Sequence, residues 1–183
     1  MKVDLSIYNN SWYQPAPVWK RGIWYLLNAL VFRTAICPFY APKRFLLRCF
    51  GTKLGRGVVL KQHLNIKYPW LLEIGNHTWI GENVWIDNLG QTIIGNNVCI
   101  SQGALLLCGN HDYSKPGFDL MVGKIIIEDG VWIGARSLVT GNSVCCTHAV
   151  LTANSVLSGK MDAYSIYRGN PAVKIKERII ANN

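Results

Sequence analysis

Aliphatic residues recur every six positions along most of this chain. Leu54, Leu60 and Ile66 begin the series, and after a slip of two residues come Ile74, Ile80 and Ile86. After a second slip come Ile94, Ile100 and Leu106, and after a longer break Ile127, Ile133, Val139, Cys145, Leu151 and Leu157. Glycine often follows the aliphatic residue, as at Gly75, Gly81, Gly95 and Gly134. A small or β-branched residue tends to sit four places on, as at Val84, Val98, Ser137, Ser143 and Ser155. A helix repeats at 3.6 residues and a strand at 2, so neither explains this period. Six residues suffice for one short strand and one turn with a single side chain pointing inward. Three such units close a triangular coil, and stacked coils bury one continuous apolar column. The frame predicts about five coils between Leu54 and Met161, with the slips at coil corners. A β-sandwich with regular turns does not explain why the frame returns after every break.

The 183 residues are enough for one domain with a sizeable core. The six cysteines show no metal spacing and no paired framework, so they read as small core hydrophobes in a reducing, cytoplasmic compartment. Cys108, three residues before His111, is the one weighed as a reactive thiol. Residues 1–50 form an N-terminal extension whose start, Met1 to Gln14, lacks the apolar core of a signal peptide. The apolar run Gly22 to Phe32 is too short to span a membrane and reads as a helix with a large apolar surface. A basic stretch, Lys43-Arg44 to Arg48, follows. Two roles fit this extension: covering the open end of the stack, or docking on an anionic membrane surface. A net charge of +9 accompanies it. No nucleic-acid-binding signature, Walker loop or GxGxxG element is present, and attraction to cofactor phosphates or lipid headgroups accounts for the charge.

The repeat stops at Cys108-Gly-Asn-His111-Asp-Tyr113 and resumes at Ile125 to Ile127. The excursion between, residues 112–126, contains Pro116 and Gly117 and is not a regular coil. A loop leaving a rigid solenoid beside a histidine suits a site. Neutral imidazole can take a proton from a hydroxyl near neutral pH.

The six-residue pattern resembles the hexapeptide-repeat acyltransferases. That resemblance implies a left-handed parallel β-helix over residues 51–165 and a C-terminal tail over 166–183 with a short basic helix after Gly169-Asn170-Pro171-Ala172. The segments Ile66-Lys-Tyr-Pro-Trp70, Ile80 to Leu89, Gly109 to Tyr113 and Ser11-Trp12-Tyr13 look most like the acetyltransferases of colanic acid and related exopolysaccharide assembly. The resemblance implies transfer of acetyl from acetyl-CoA to a sugar hydroxyl, on a lipid-linked or nucleotide-linked precursor at the inner membrane face. It gives His111 the role of catalytic base. It sets Asp87 where relatives carry a substrate-binding Asn, with Asn88 able to supply the amide instead, and it leaves Asn110 as a further substrate contact. The backbone of Ala135 would supply the oxyanion donor from a neighbouring subunit of a homotrimer. Trp132 and Ala153 would line the pantetheine groove, and Lys160, Lys174, Lys176 and Arg178 would meet the coenzyme A phosphates. No metal and no nucleic acid are expected. Alternatives are acetylation of an antibiotic by the same fold and a non-catalytic trimeric scaffold for glycan assembly. A zinc hydratase requires further histidines beside the loop, where Pro116 stands.

Overall fold

A computed structural model describes residues 2–181. Met1, Asn182 and Asn183, which belong to the two terminal segments delimited above, lie outside the described residues. Every inward position of the six-residue frame pairs with its equivalent in the next coil. On the first face the ladder runs Leu54, Ile74, Ile94, Ile127, Cys145, Met161. On the second it runs Leu60, Ile80, Ile100, Ile133, Leu151, Tyr167. On the third it runs Ile66, Ile86, Leu106, Val139, Leu157. These side chains form one buried core, with only Leu54 and Tyr167, in the outermost coils, partly exposed. Each buried Leu or Ile contributes about 1.5–3 kcal/mol relative to exposure. The result is a left-handed parallel β-helix of five complete coils and part of a sixth.

The corners explain the remaining histidines. The turn from first to second face carries positive φ at Gly57, His77, Asn97, Gly130, His148 and Tyr164. The turn from second to third carries it at His63, Asn83, Gly103, Arg136 and Asn154. Asn and His tolerate the left-handed region better than most side chains. His63, His77 and His148 are therefore corner residues. The third corner is less regular, and both two-residue slips and the excursion fall there.

A parallel stack leaves unpaired backbone groups at each end. The N-terminal end is covered by two helices, α1 (Val18–Leu27, continued by a wider turn over Asn28–Phe32) and α2 (Tyr40–Cys49). The cations of α2 cap the first coil. Lys43 Nζ donates to the Lys61 carbonyl at 2.8 Å, Arg44 to Val58, and Arg48 to Leu54 and Gly55. From α1, Trp24 Nε1 donates to the Ile66 carbonyl, and the continuation supplies Asn28 Oδ1 to the Ile66 amide. Trp24, Phe32 and Leu47 close the apolar column beneath. The basic stretch thus serves the cap, and burial pulls the Lys43 ammonium below its ordinary pKa. The opposite face of the extension stays apolar and exposed, with Trp19, Ile23, Leu26 and Leu30 outward. Among the described residues no helix is long and apolar enough to cross a membrane.

At the other end the expected C-terminal helix is absent. Residues Ala172–Glu177 form a strand antiparallel to Ser165–Gly169. Val173 and Ile175 alternate with Lys174 and Lys176, a period of two that β-branched residues favour in strands. The hairpin covers the last coil, and its edge lysines discourage further pairing.

Replacing Lys43 by Met keeps the aliphatic stem and leaves the Lys61 carbonyl unpaired. The expected outcome is a loss of about 1–3 kcal/mol, read as a lower denaturant midpoint at unchanged slope. An unchanged midpoint contradicts the capping role.

Candidate active site

The excursion is a hairpin. Gly109–His111 pairs antiparallel with Leu120–Val122, so the strand leaving the third face holds His111 at its tip end, opposite Leu120. His111 Nδ1 lies 2.8 Å from the Phe118 carbonyl, and the two rings stack with centroids 4.6 Å apart. A carbonyl only accepts, so this contact assigns the proton of the neutral ring to Nδ1 and leaves the Nε2 lone pair free to act as a base. Phe118 adopts φ +54°, which turns its carbonyl onto the imidazole.

The N-terminal segment returns across this hairpin. The Asp4 amide donates to the Pro116 carbonyl, and the Tyr13 hydroxyl donates to the Leu89 carbonyl. Tyr8 packs on His111 with ring centroids 5.8 Å apart. The result is a chamber of about 370 Å³ lined by Tyr8, Asn10, Tyr13, Lys67, Tyr68 and His111, among others. Burial, then the neighbouring Tyr68, Cys108 and Asp87, push the Tyr13 phenol up, so it is a neutral donor. Burial likewise raises the Cys108 thiol, which argues against a reactive thiolate there.

The other predicted residues divide between several places. Asp87 is 8% exposed and lines the adjoining cleft beneath α1, not the histidine chamber. Lys67 Nζ stands 2.9 Å from Asp87 Oδ1 as an ion pair without hydrogen-bond alignment, so this buried oxygen accepts no hydrogen bond among the described residues. Asn88 is fully buried, and its amide donates to the Tyr68 carbonyl and accepts from the Tyr68 amide. It shapes the corner, where both ends of its amide are already engaged with the Tyr68 backbone. Asn110 is exposed and alternates with His111 along the strand. It faces a second cavity beyond the hairpin, lined also by Met121 and Asn142.

Ala135, Arg136 and Ala153 lie at the corner between second and third faces, whereas His111 leaves the corner between third and first. One chain alone does not bring His111 and the Ala135 amide together. Trp132 projects from the second face, half exposed, with Nε1 donating to Ser101 Oγ. Of the four cations expected to meet phosphate, Arg178 donates to the Gly130 and His148 carbonyls and ties down the chain end. Lys174 already faces Glu177 at 2.8 Å and Asp162 at 3.6 Å. Lys160 and Lys176 are exposed and make no ion pair among the described residues. Exposed Arg168 was missed. It precedes Gly169, whose amide donates to Ser155 Oγ, and so stands at the corner of Ala135 and Ala153. Tyr8, Tyr13, Arg21, Lys67 and Tyr68 were also missed as site residues. Among the described residues no group of three His, Cys, Asp or Glu is placed to hold a metal.

No family model matches the chain. WcaF of Escherichia coli (strain K12), named for colanic acid biosynthesis as an acetyltransferase, is 33% identical over 160 residues, covering 87% of this chain and 88% of WcaF. A chloramphenicol acetyltransferase of Klebsiella aerogenes is 29% identical over 113 residues, half of this chain and 54% of the relative. Among solved structures, a hexapeptide-repeat-containing acetyltransferase of Vibrio cholerae, crystallised in complex with acetyl coenzyme A, superposes with a TM-score of 0.78 at 23% identity, over 88% of each chain.

The Phe118 contact makes a spectroscopic prediction. In the neutral state, nitrogen-15 spectra are expected to show His111 as the Nδ1–H tautomer with a bare Nε2. A protonated Nε2 contradicts the assignment.

Proposed function

Because this chain belongs to the hexapeptide-repeat acetyltransferases that include WcaF, we propose that it moves acetyl from acetyl-CoA to a sugar hydroxyl of an exopolysaccharide precursor, with His111 as base. The observation that carries the reading is the Nδ1 contact to Phe118, which leaves Nε2 bare beside a chamber of tyrosine, asparagine and serine side chains. Such a lining suits an acceptor with several hydroxyls.

In the proposed reaction Nε2 takes the proton of the acceptor hydroxyl as its oxygen attacks the thioester carbonyl. The Nδ1–H bond to the Phe118 carbonyl stabilises the imidazolium that forms. The tetrahedral oxyanion is held by a backbone N–H, for which the Ala135 amide of a neighbouring copy is the candidate. The C–S bond then breaks, and the imidazolium returns its proton to the coenzyme A thiolate. The separation of Ala135 and His111 onto different edges of one prism supports a site completed between subunits of a trimer. Trp132 and Ala153 are proposed to line the pantetheine path. Lys160, Lys176 and Arg168 are its phosphate candidates, while Lys174 is weakened as one by its two carboxylate partners.

The exposed apolar side of α1, with Trp19 at 67% exposure, supports peripheral docking at the inner membrane face, where a lipid-linked acceptor would lie. The similarity to a chloramphenicol acetyltransferase keeps an antibiotic acceptor as the second reading, which requires turnover of such drugs and no effect on cell-surface polysaccharide.

Titration with acetyl-CoA in a calorimeter is expected to show about one site per chain, weakened by Arg168→Ala and Lys176→Ala. His111→Ala is expected to keep that binding and to lose about 10²–10⁴-fold in turnover. Retained turnover in that variant rejects the base assignment, and absence of binding rejects the acetyltransferase reading of the site.

A further inference from the structure

The histidine chamber and the cleft beneath α1 are two cavities that share a wall, termed the neck. Arg21, Lys67 and Tyr68 line both. The cleft is the larger, about 530 Å³, and its walls include Val18, Trp24, Tyr25 and Trp85. Val18 and Tyr25 are largely exposed and mark its mouth, on the same helix that presents the outward apolar face. The two spaces differ in chemistry. The chamber is lined by hydroxyl and amide groups, and the cleft mainly by apolar and aromatic ones.

The neck is cationic beyond what the protein itself balances. Arg21, Arg33 and Lys67 line the cleft, and Asp87 is the one carboxylate among its lining residues. Lys67 is engaged with Asp87, while Arg21 and Arg33 make no ion pair among the described residues. Arg21 Nε is buried without a hydrogen-bond partner among the described residues. Arg21 is only half-buried and its side chain makes no hydrogen bond among the described residues, so the terminal nitrogens beyond the enclosed Nε are the donors an anion would use. Guanidinium and ammonium together are the side chains that bind phosphate oxygens best, the first as a fork and the second as a point charge.

We propose that Arg21 and Lys67 form a phosphate subsite that holds the phosphate or diphosphate joining the acceptor sugar to its carrier. The sugar then occupies the His111 chamber, and the carrier leaves through the cleft under α1. This deepens the acetyltransferase reading and rests on it, since the neck matters only if a sugar sits beside His111. It also gives the N-terminal extension a direct part in acceptor choice, because Arg21 belongs to α1 and Lys67 to the first coil.

The test uses the full chain with saturating coenzyme A present, so that contacts to the cofactor's own phosphates are already occupied. Inorganic pyrophosphate is titrated by calorimetry. Binding is expected in the parent protein and is expected to weaken by about 10- to 100-fold in Arg21→Gln and in Lys67→Gln, the loss of one charge-assisted hydrogen bond. Arg21→Lys should restore part of it. Coenzyme A binding in each variant reports that the fold survives. Farnesyl diphosphate and uridine diphosphate then compete against pyrophosphate: tighter binding of the first identifies an isoprenoid carrier, and of the second a nucleotide. Pyrophosphate that fails to bind the parent protein, or binds all variants equally, overturns the subsite. Failure of the chain to bind coenzyme A at all instead overturns the acetyltransferase reading, so the two failures are distinct.

Discussion

Parallel pairing between successive coils is the interaction on which everything else depends. Each strand of two or three residues is too short to stand alone, and each inside the stack is held by backbone bonds to the coil before and the coil after. The inward aliphatic of every strand lies on its counterparts, so one column is shared by all coils. Such a stack is stable in its middle and exposed at its ends. The two termini resolve this differently. At the start, α2 turns three cations onto carbonyls of the first coil, and the Trp24 and Asn28 side chains satisfy its third strand. At the finish, the chain folds back as an antiparallel strand.

The same rigidity makes the chemistry local. A coil corner has nowhere to store extra chain, so the residues between Leu107 and Ile125 leave the prism as a hairpin. The hairpin orients one imidazole through the Phe118 carbonyl, and the N-terminal segment closes a chamber over it. The setting of His111 therefore depends on three parts of the chain that are distant in sequence: the strand Gly109–His111, the left-handed residue Phe118, and the segment around Tyr8 and Tyr13. The cap that closes the apolar column also supplies Arg21 to the neck. Helix α1 therefore both covers the apolar column and walls the two cavities.

The frame of inward residues was legible because periodicity survives every interruption, and the predicted ladder matches the pairing rung by rung. His111 was legible as the residue where periodicity stops. The C-terminal helix failed for an identifiable reason, and several side chains have partners that the spacing did not reveal. The family resemblance implied a basic helix over Val173-Lys-Ile-Lys176, although its alternation has the period of a strand. Asn88 was read as a substrate contact from its place in the repeat, but burial turns its amide onto Tyr68. Arg178 and Lys174 were expected to meet coenzyme A phosphates, and in the structure carbonyls and carboxylates already engage them. Arg21 and Lys67 carry no motif. Only the return of α1 against the first coils makes them neighbours.

The sequence by itself determined the column: a six-residue period of aliphatic side chains has one economical burial, a three-sided coil, and its interruption marks the one place where chain must leave. Those are properties of spacing, and spacing is local. The tertiary structure decided which nitrogen of His111 faces the Phe118 carbonyl, which cations are already paired, what lines the chamber, and that Ala135 stands on another edge from His111. These depend on contacts between residues tens of positions apart, set by how the termini fold over the stack, and no local pattern of side chains encodes them.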